Sequence, residues 1–364
     1  MIGPVRISWQ AVVGGLSGVT AAAVWALSLA IYQPFMQPSG FWADPQTGAS
    51  FPELAGNNTY WPRDVRQLAI LLALAGVILI VDGRIRGVVT GAVATGAWLI
   101  ADLWLDRVDI SGQAAAAWLG VGGGLGFFAT ALVGARLSTG RGAGRGPVAS
   151  AAAKDLAAGT AAVLAVTSTL ITTPWDEPVT RPDLVRVEDA LLAIKSGLVV
   201  MFAVVAVSLV ARRLTTARAW LVAAFVVVAA LAAWPGSGAA SYGSLLVAPI
   251  AVSLAVAAAR DVPLGRLVAV AGACSVTLPL SLLILYFGGT AAGGAMTSLA
   301  GNPPVNGADT DLSIALAGLA LGLLLALAGY GATRPARGDA GASGRERARP
   351  DAAAGQPAAE EKTG

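Results

Sequence analysis

Residues 188–210 read EDALLAIKSGLVVMFAVVAVSLV, and no charged residue follows Lys195 before Arg212. About 20 apolar residues in a helix cross a hydrocarbon core of ~30 Å, and a helix is suitable because its backbone groups bond to one another. This stretch therefore predicts a transmembrane helix with a single lysine inside it.

The rest of the chain has the same character. Of its 364 residues, 56% are apolar and only 12% are charged, and the mean hydropathy is +0.70. Soluble domains carry about 25% charged residues, so we predict an all-α integral membrane protein of ten transmembrane helices. The predicted spans are 8–32, 66–82, 87–105, 114–136, 155–174, 188–210, 218–234, 242–259, 265–287 and 312–331.

The positive residues predict the orientation. With the N-terminus inside, 18 of the 24 basic residues fall on the cytoplasmic side, five fall outside, and Lys195 lies within a helix. By the positive-inside rule this predicts a multi-pass protein of a bacterial inner membrane with both termini cytoplasmic. The basic face favours anionic lipid headgroups. Its charges are dispersed over short loops, so we expect no nucleic-acid partner.

A weak internal repeat divides the chain. Residues 65–76 resemble 185–197, and a similar acidic start precedes the last span. The repeat predicts parallel four-helix units in a 4+4+2 plan, although apolar sequence also gives such matches by chance. The predicted units are 1–154 (helices 1–4 with a long first outer loop, 33–65), 155–263 (helices 5–8), 264–333 (helices 9–10) and 334–364 (a disordered cytoplasmic tail).

Two absences narrow the chemistry. The chain has no histidine and one cysteine, Cys274. This excludes histidine-ligated zinc and haem sites, Ser-His-Asp triads and an internal disulfide. No phosphate-binding GxxxxGK[ST] sequence occurs either, so an ATP-driven pump would need a separate subunit. We predict no cofactor, no metal site and no catalytic residue.

Asp102 and Asp106 form one candidate polar site. Their i, i+4 spacing puts both carboxylates on one helix face, where they could hold Mg²⁺ and a diphosphate. Membrane prenyltransferases use such pairs in two sets, however, and no second set occurs here. The alternative interpretation is an interfacial helix end, with Asp106 contacting Arg107 or solvent.

Lys195 is the other candidate. It lies about seven residues into its span, and a charge at that depth usually faces the bundle interior with a partner. We predict that Lys195 pairs with Asp102 or lines a cavity, and the alternative is that its long stem extends to the headgroups.

Glycines at four-residue spacing predict close helix packing. The pairs or triplets are Gly14/Gly18, Gly83/Gly87/Gly91, Gly120/Gly124, Gly122/Gly126 and Gly318/Gly322.

Three classes of function remain. The sequence favours a non-enzymatic envelope component that assembles with a membrane protein or with its own copies. A secondary transporter or permease subunit is the alternative, based on helix count and Lys195. The second alternative is an outer-face transferase of lipid-linked sugars or phosphates, acting through Asp44, Glu53 or Asp106.

Overall fold

The computed structural model describes ten α-helices and one short hairpin. The structure describes residues 8–37, 41–43, 47, 50–52, 59–139, 147–171, 182–210, 247, 251, 255, 264–304 and 311–332. The helices of this part are α1 (Trp9–Leu27), α2 (Gln33–Met36), α3 (Trp61–Ile80), α4 (Ile85–Arg107), α5 (Gln113–Thr139), α6 (Pro147–Thr167), α7 (Pro182–Val210), α8 (Leu264–Leu283), α9 (Gly289–Ala300) and α10 (Ile314–Ala332). The hairpin pairs β1 (Phe41–Ala43) with β2 (Ser50–Pro52), in antiparallel register.

Three short segments of other helical type join these helices. A π-helical turn, Ser28–Tyr32, connects α1 to α2, and a second one, Ile284–Gly288, connects α8 to α9. A 3₁₀ turn, Ser168–Ile171, extends α6. The pairs α1–α2 and α8–α9 therefore each continue as one long rod, with no loop between the two helices.

Helix α3 is the centre of the bundle. It contacts α1, α4, α5, α6, α7 and α10, and nearly all its side chains are buried. Between membrane helices, small residues allow the close approach that gives van der Waals contact. A Cβ added to Gly14 of α1 would stand 2.7 Å from the carbonyl oxygen of Gly76 on α3, so the two backbones touch at this point.

Seven described helical segments are long and apolar enough to cross a membrane. They are Trp9–Met36, Ile85–Arg107, Gln113–Thr139, Ser150–Ile171, Val185–Val210, Val268–Ala300 and Ile314–Ala332. Large apolar side chains on α4, α5 and α8 point outward, among them Ile100, Trp118 and Val276. Such a surface suits lipid rather than water, and the protein is a multi-pass membrane protein.

Three predicted boundaries were wrong. The second helix begins at Trp61 rather than 66, because its first two turns, with Arg63 and Arg66, are helical and buried. Helix α6 begins at Pro147, before the predicted span 155–174, and the helix after the predicted span 265–287 continues to Ala300. The predicted span 218–234 and the tail 334–364 lie outside the described residues, and so does the predicted span 242–259 except for 247, 251 and 255. In the first outer loop, 38–40, 44–46, 48–49 and 53–58 lie outside them.

Candidate functional site

Asp102 and Asp106 share one arginine. They lie one turn apart on α4 with 2% and 4% of their surfaces exposed, and the guanidinium of Arg66 on α3 lies between them. Its Nε is 3.0 Å from Asp102 Oδ2, and its Nη2 is 2.6 Å from Asp106 Oδ2. Its Nη1 donates to Gln33 Oε1 at 3.0 Å. The rigid fork of the guanidinium thus binds three acceptors on two other helices, α4 and α2.

Two further donors complete this group. The indole Nε1 of Trp25 donates to Asp102 Oδ1 at 2.8 Å, and Asn302 Nδ2 donates to Asp106 Oδ2 at 3.2 Å. We call Arg66, Asp102, Asp106 and these partners the Arg66 cluster. It joins α1, α2, α3, α4 and the segment after α9 at one end of the bundle.

This arrangement corrects the predicted contact of Asp106 with Arg107 or solvent. Asp106 is buried against Arg66, and Arg107 instead donates to the carbonyl of Leu299 at 2.7 Å. A guanidinium between two carboxylates occupies the place that Mg²⁺ would take and supplies the opposite charge. In the described ranges, no group of three or more acidic, cysteine or histidine residues is arranged to hold a metal ion.

Lys195 lies on α7 with 2% of its surface exposed. Its side chain is buried inside the protein. The alternative prediction, that its ammonium extends to the lipid headgroups, requires an exposed side chain and was wrong. Asp102 has Arg66 and Trp25 as its partners. Asp102 and Asp106 therefore lie together around Arg66. The cation that pairs with Asp102 is Arg66, and not Lys195 as predicted.

A second arginine lies one turn earlier on α3. The Nη1 of Arg63 donates to Thr297 Oγ1 at 2.5 Å, and its Nη2 is 3.6 Å from Asp311 Oδ1. The Thr297 hydroxyl donates to the same aspartate. Gly293 makes this approach possible, because a Cβ there would stand 2.8 Å from the backbone of Asp311. These residues tie α3 to α9 and to the start of α10.

Tyr60 covers Arg63 from the loop side. Its ring centroid is 4.6 Å from the guanidinium carbon, a cation–π contact. Burial raises the pKa of the Tyr60 phenol and the carboxylate of Asp311 raises it further. The phenol therefore stays protonated, and it donates to the carbonyl of Pro303.

Between the two arginines, Asp64 caps another helix. Its Oδ1 accepts the backbone N–H of Ile314, the first residue of α10, at 3.1 Å. A carboxylate there satisfies a donor that has no partner within the helix and interacts favourably with the helix dipole. Beside it, the Ser313 hydroxyl donates to Gln67 Oε1 at 2.9 Å.

Sequence reasoning missed the arginines and assigned Arg63 and Arg66 to a loop. One signal was present, because Trp61-Pro62 puts a proline in the first turn, a typical helix start. From that start, Arg63, Arg66 and Gln67 follow the i, i+3, i+4 spacing of one helix face.

A cavity of about 280 Å³ opens beside the Arg66 cluster. We call it the Gln33 cavity. Its lining residues are Leu29, Gln33, Pro34, Gln37, Asp106, Asp109, Ile110 and Ser111.

The fold and site define a class: a multi-pass helical membrane protein with a group of buried charges, Arg63, Asp64, Arg66, Asp102 and Asp106, at one end of the bundle. No protein-family model matches the chain, and comparisons with curated proteins and with solved structures find no match.

Proposed function

We propose that this protein is a non-enzymatic component of a bacterial inner-membrane assembly, bound through α5 to another membrane protein or to a second copy of itself. The observation that carries the proposal is a small-residue surface on α5, formed by Gly122, Gly126 and Ala129, that faces away from the bundle. It is flanked by exposed Trp118 and Leu125.

The pairs Gly14/Gly18 and Gly318/Gly322 differ from this one. A Cβ at Gly18 would meet the ring of Phe127, and one at Gly318 would stand 2.5 Å from Thr167 Oγ1. At Gly122 and Gly126, no described residue lies within 4 Å of that position. Small residues at this spacing are typical of helix–helix interfaces in membranes, so an unused pair supports a partner helix.

The state of the charged residues also supports a non-enzymatic role. Asp102 and Asp106 are engaged by Arg66, which removes them as a metal site or as a general base. Of the residues considered for an outer-face transferase, Asp106 is engaged in this way, while Asp44 and Glu53 lie outside the described residues.

Transport is the second candidate. It is favoured by the burial of Arg63, Arg66 and Lys195 in helices, because intramembrane charges commonly mark substrate or ion pathways. The two π-helical turns also agree with it, since such turns are frequent at functional sites.

The topology we propose has ten spans, both termini cytoplasmic, and the 4+4+2 repeat. Gln10, in the first turn of α1, donates to the carbonyl of Ser208 near the end of α7. The rod of α8 and α9 runs toward the Arg66 cluster, so α8 begins at the opposite end of the bundle, where Gln10 meets Ser208. Helix α7 ends and α8 begins at this one end, which agrees with two spans between them. With Arg63 and Arg66 inside the bundle, three basic residues remain on the proposed outer face (Arg107, Arg181 and Arg186). The opposite face would contact anionic lipid headgroups.

The test changes α5 and follows the size of the complex. Full-length protein is extracted in a mild detergent and its mass measured by light scattering after size-exclusion chromatography. We expect wild type to carry a stoichiometric partner or second copy, and Gly126→Leu to lose it, because a leucine side chain would hold the partner backbone away. Gly96→Leu on α4 is the control, since this exposed glycine is flanked on its helix face by the large exposed side chains of Val93 and Ile100.

A single wild-type chain without a partner would contradict the assembly role. Loss of the complex in both variants would show that any added bulk disrupts it, and would contradict the assignment to α5. Uptake of a labelled solute by vesicles containing a wild-type single chain would favour transport.

A further inference from the structure

We propose that the Gln33 cavity binds a neutral, hydroxyl-rich ligand of the size of one sugar ring. The cavity lies where the α1–α2 rod meets the turn between α4 and α5. This site is separate from the α5 surface, and either proposal can fail without the other.

The walls of the cavity are held in place by contacts on the backbone. Gly112 N–H, just after the lining residue Ser111, donates to the carbonyl of Ala30 in the first π-helical turn at 2.8 Å. Asp109 adopts a left-handed conformation, with a φ of 50°, that ends α4 and reverses the chain. The shape therefore exists before any ligand binds, which lowers the entropic cost of binding.

Gln33 presents an unused donor. The residue is 1% exposed, its Oε1 accepts from Arg66, and its Nε2 has no hydrogen-bond partner among the residues that the structure describes. The orientation of the amide is fixed, because a guanidinium N–H requires the oxygen and not the NH₂. A buried NH₂ without a partner costs about 1–3 kcal/mol, a cost that a ligand oxygen would remove.

Acceptors line the same space. Asp106 uses Oδ2 for both Arg66 and Asn302, which leaves Oδ1 as an acceptor. Asp109 adds an exposed carboxylate, and Ser111 adds a hydroxyl. A ligand that fits must therefore accept a hydrogen bond from Gln33 and donate hydrogen bonds to carboxylates.

A hydroxyl group does both, whereas ions do not. An anion would be repelled by Asp106 and Asp109, and a metal cation could not accept a hydrogen bond from the Gln33 amide. Leu29, Pro34 and Ile110 supply apolar wall for the C–H face of a ring. At about 280 Å³ the cavity is just below the ~300–1,000 Å³ of sites for drug-sized ligands, which selects a single ring.

The test uses the full chain in an amine-oxide detergent, because maltoside headgroups are themselves hydroxyl-rich. Saturation-transfer NMR is recorded with glucose, galactose, mannose, N-acetylglucosamine and inositol, and the affinity of any bound compound is measured by calorimetry. A second arm uses vesicles with and without a monoglycosyl diacylglycerol. Binding in solution identifies a free sugar, and binding only to glycolipid vesicles identifies a headgroup.

Two variants locate the site. Gln33→Glu keeps an oxygen for Arg66 and removes the NH₂ donor, so binding should weaken about tenfold, as expected for a lost hydrogen bond. Ile110→Trp fills the cavity and should abolish binding, whereas Val108→Trp, on an exposed residue of the same turn that does not line the cavity, should retain it.

If neither arm detects binding, the cavity holds only water and the proposal is overturned. It is also overturned if Ile110→Trp binds like wild type, or if Ca²⁺ binds to the wild type and competes with the sugar. Should Gln33→Glu fail to fold, the comparison of Ile110→Trp with Val108→Trp still decides the outcome.

Discussion

The two ends of the bundle each have a short ion pair, and the pairs differ in their surroundings. At one end, Arg66 lies 2.6 Å from Asp106, and both are at most 4% exposed. At the other end, Lys154 Nζ lies 2.7 Å from Asp82 Oδ1, with 15% and 43% of their side chains exposed. Nearly equal distances thus occur in very different environments.

This comparison shows that distance alone does not determine what an ion pair contributes. An exposed pair competes with water and salt, and it typically contributes 0–1 kcal/mol. Removing one partner of a buried pair leaves an uncompensated charge at a cost of about 3–5 kcal/mol. We therefore expect the helices to be held at the Arg66 end, with the Lys154 pair contributing little.

The largest effect is expected from Arg66→Met. The change leaves the buried carboxylates of Asp102 and Asp106 without their cation, so the free energy of unfolding should fall by about 3–5 kcal/mol. Thermal unfolding in detergent, followed by tryptophan fluorescence, measures it. A loss below about 1 kcal/mol would mean that the cluster does not hold the helices.

An intermediate effect is expected from Asp64→Ala. It removes the cap from the N–H of Ile314, and loss of a helix cap costs about 0.5–2 kcal/mol. Asp64→Asn keeps an oxygen that can accept this hydrogen bond and serves as the control. Equal melting temperatures for Asp64→Ala and wild type would rule out a stabilising cap.

The smallest effect is expected from Lys154→Ala. Because its partner Asp82 is half exposed, we expect a loss of at most about 1 kcal/mol, and a smaller one in high salt. Unfolding in low and high salt measures both. A loss as large as that of Arg66→Met would remove the distinction between the two ends.

The sequence predicted the helical class and the shared face of Asp102 and Asp106, but it did not predict their partner. A search for about 20 consecutive apolar residues assumes that lipid surrounds each span. This assumption placed the predicted start of the second span after Arg63. Helix α3 meets protein on all sides, where an arginine can find acceptors on neighbouring helices. Which helices are neighbours is a property of tertiary packing that one sequence without homologues does not reveal.

The same reasoning applies to the glycines. Gly14 and Gly126 have the same spacing signal, but Gly14 packs against Gly76, while no described residue lies within 4 Å of a Cβ placed at Gly126. The spacing predicted small-residue contacts without telling which pairs serve the bundle and which remain for a partner. The structure shows which described glycines pack inside the bundle, and the α5 proposal starts from that difference.

The central claim is that Asp102 and Asp106 serve to bind Arg66. The most direct measurement compares Arg66→Met with the triple variant Arg66→Met, Asp102→Asn, Asp106→Asn by thermal unfolding in the same detergent. The asparagine at position 102 keeps an acceptor for Trp25, and the triple variant contains no unpaired charge. We predict that the triple variant regains at least half of the stability lost in Arg66→Met. The effects of substitutions within one charge cluster on the free energy of unfolding are not additive, and the triple variant has no buried carboxylate left without its cation. A triple variant less stable than Arg66→Met would contradict the claim, since the aspartates would then stabilise the bundle independently of the arginine.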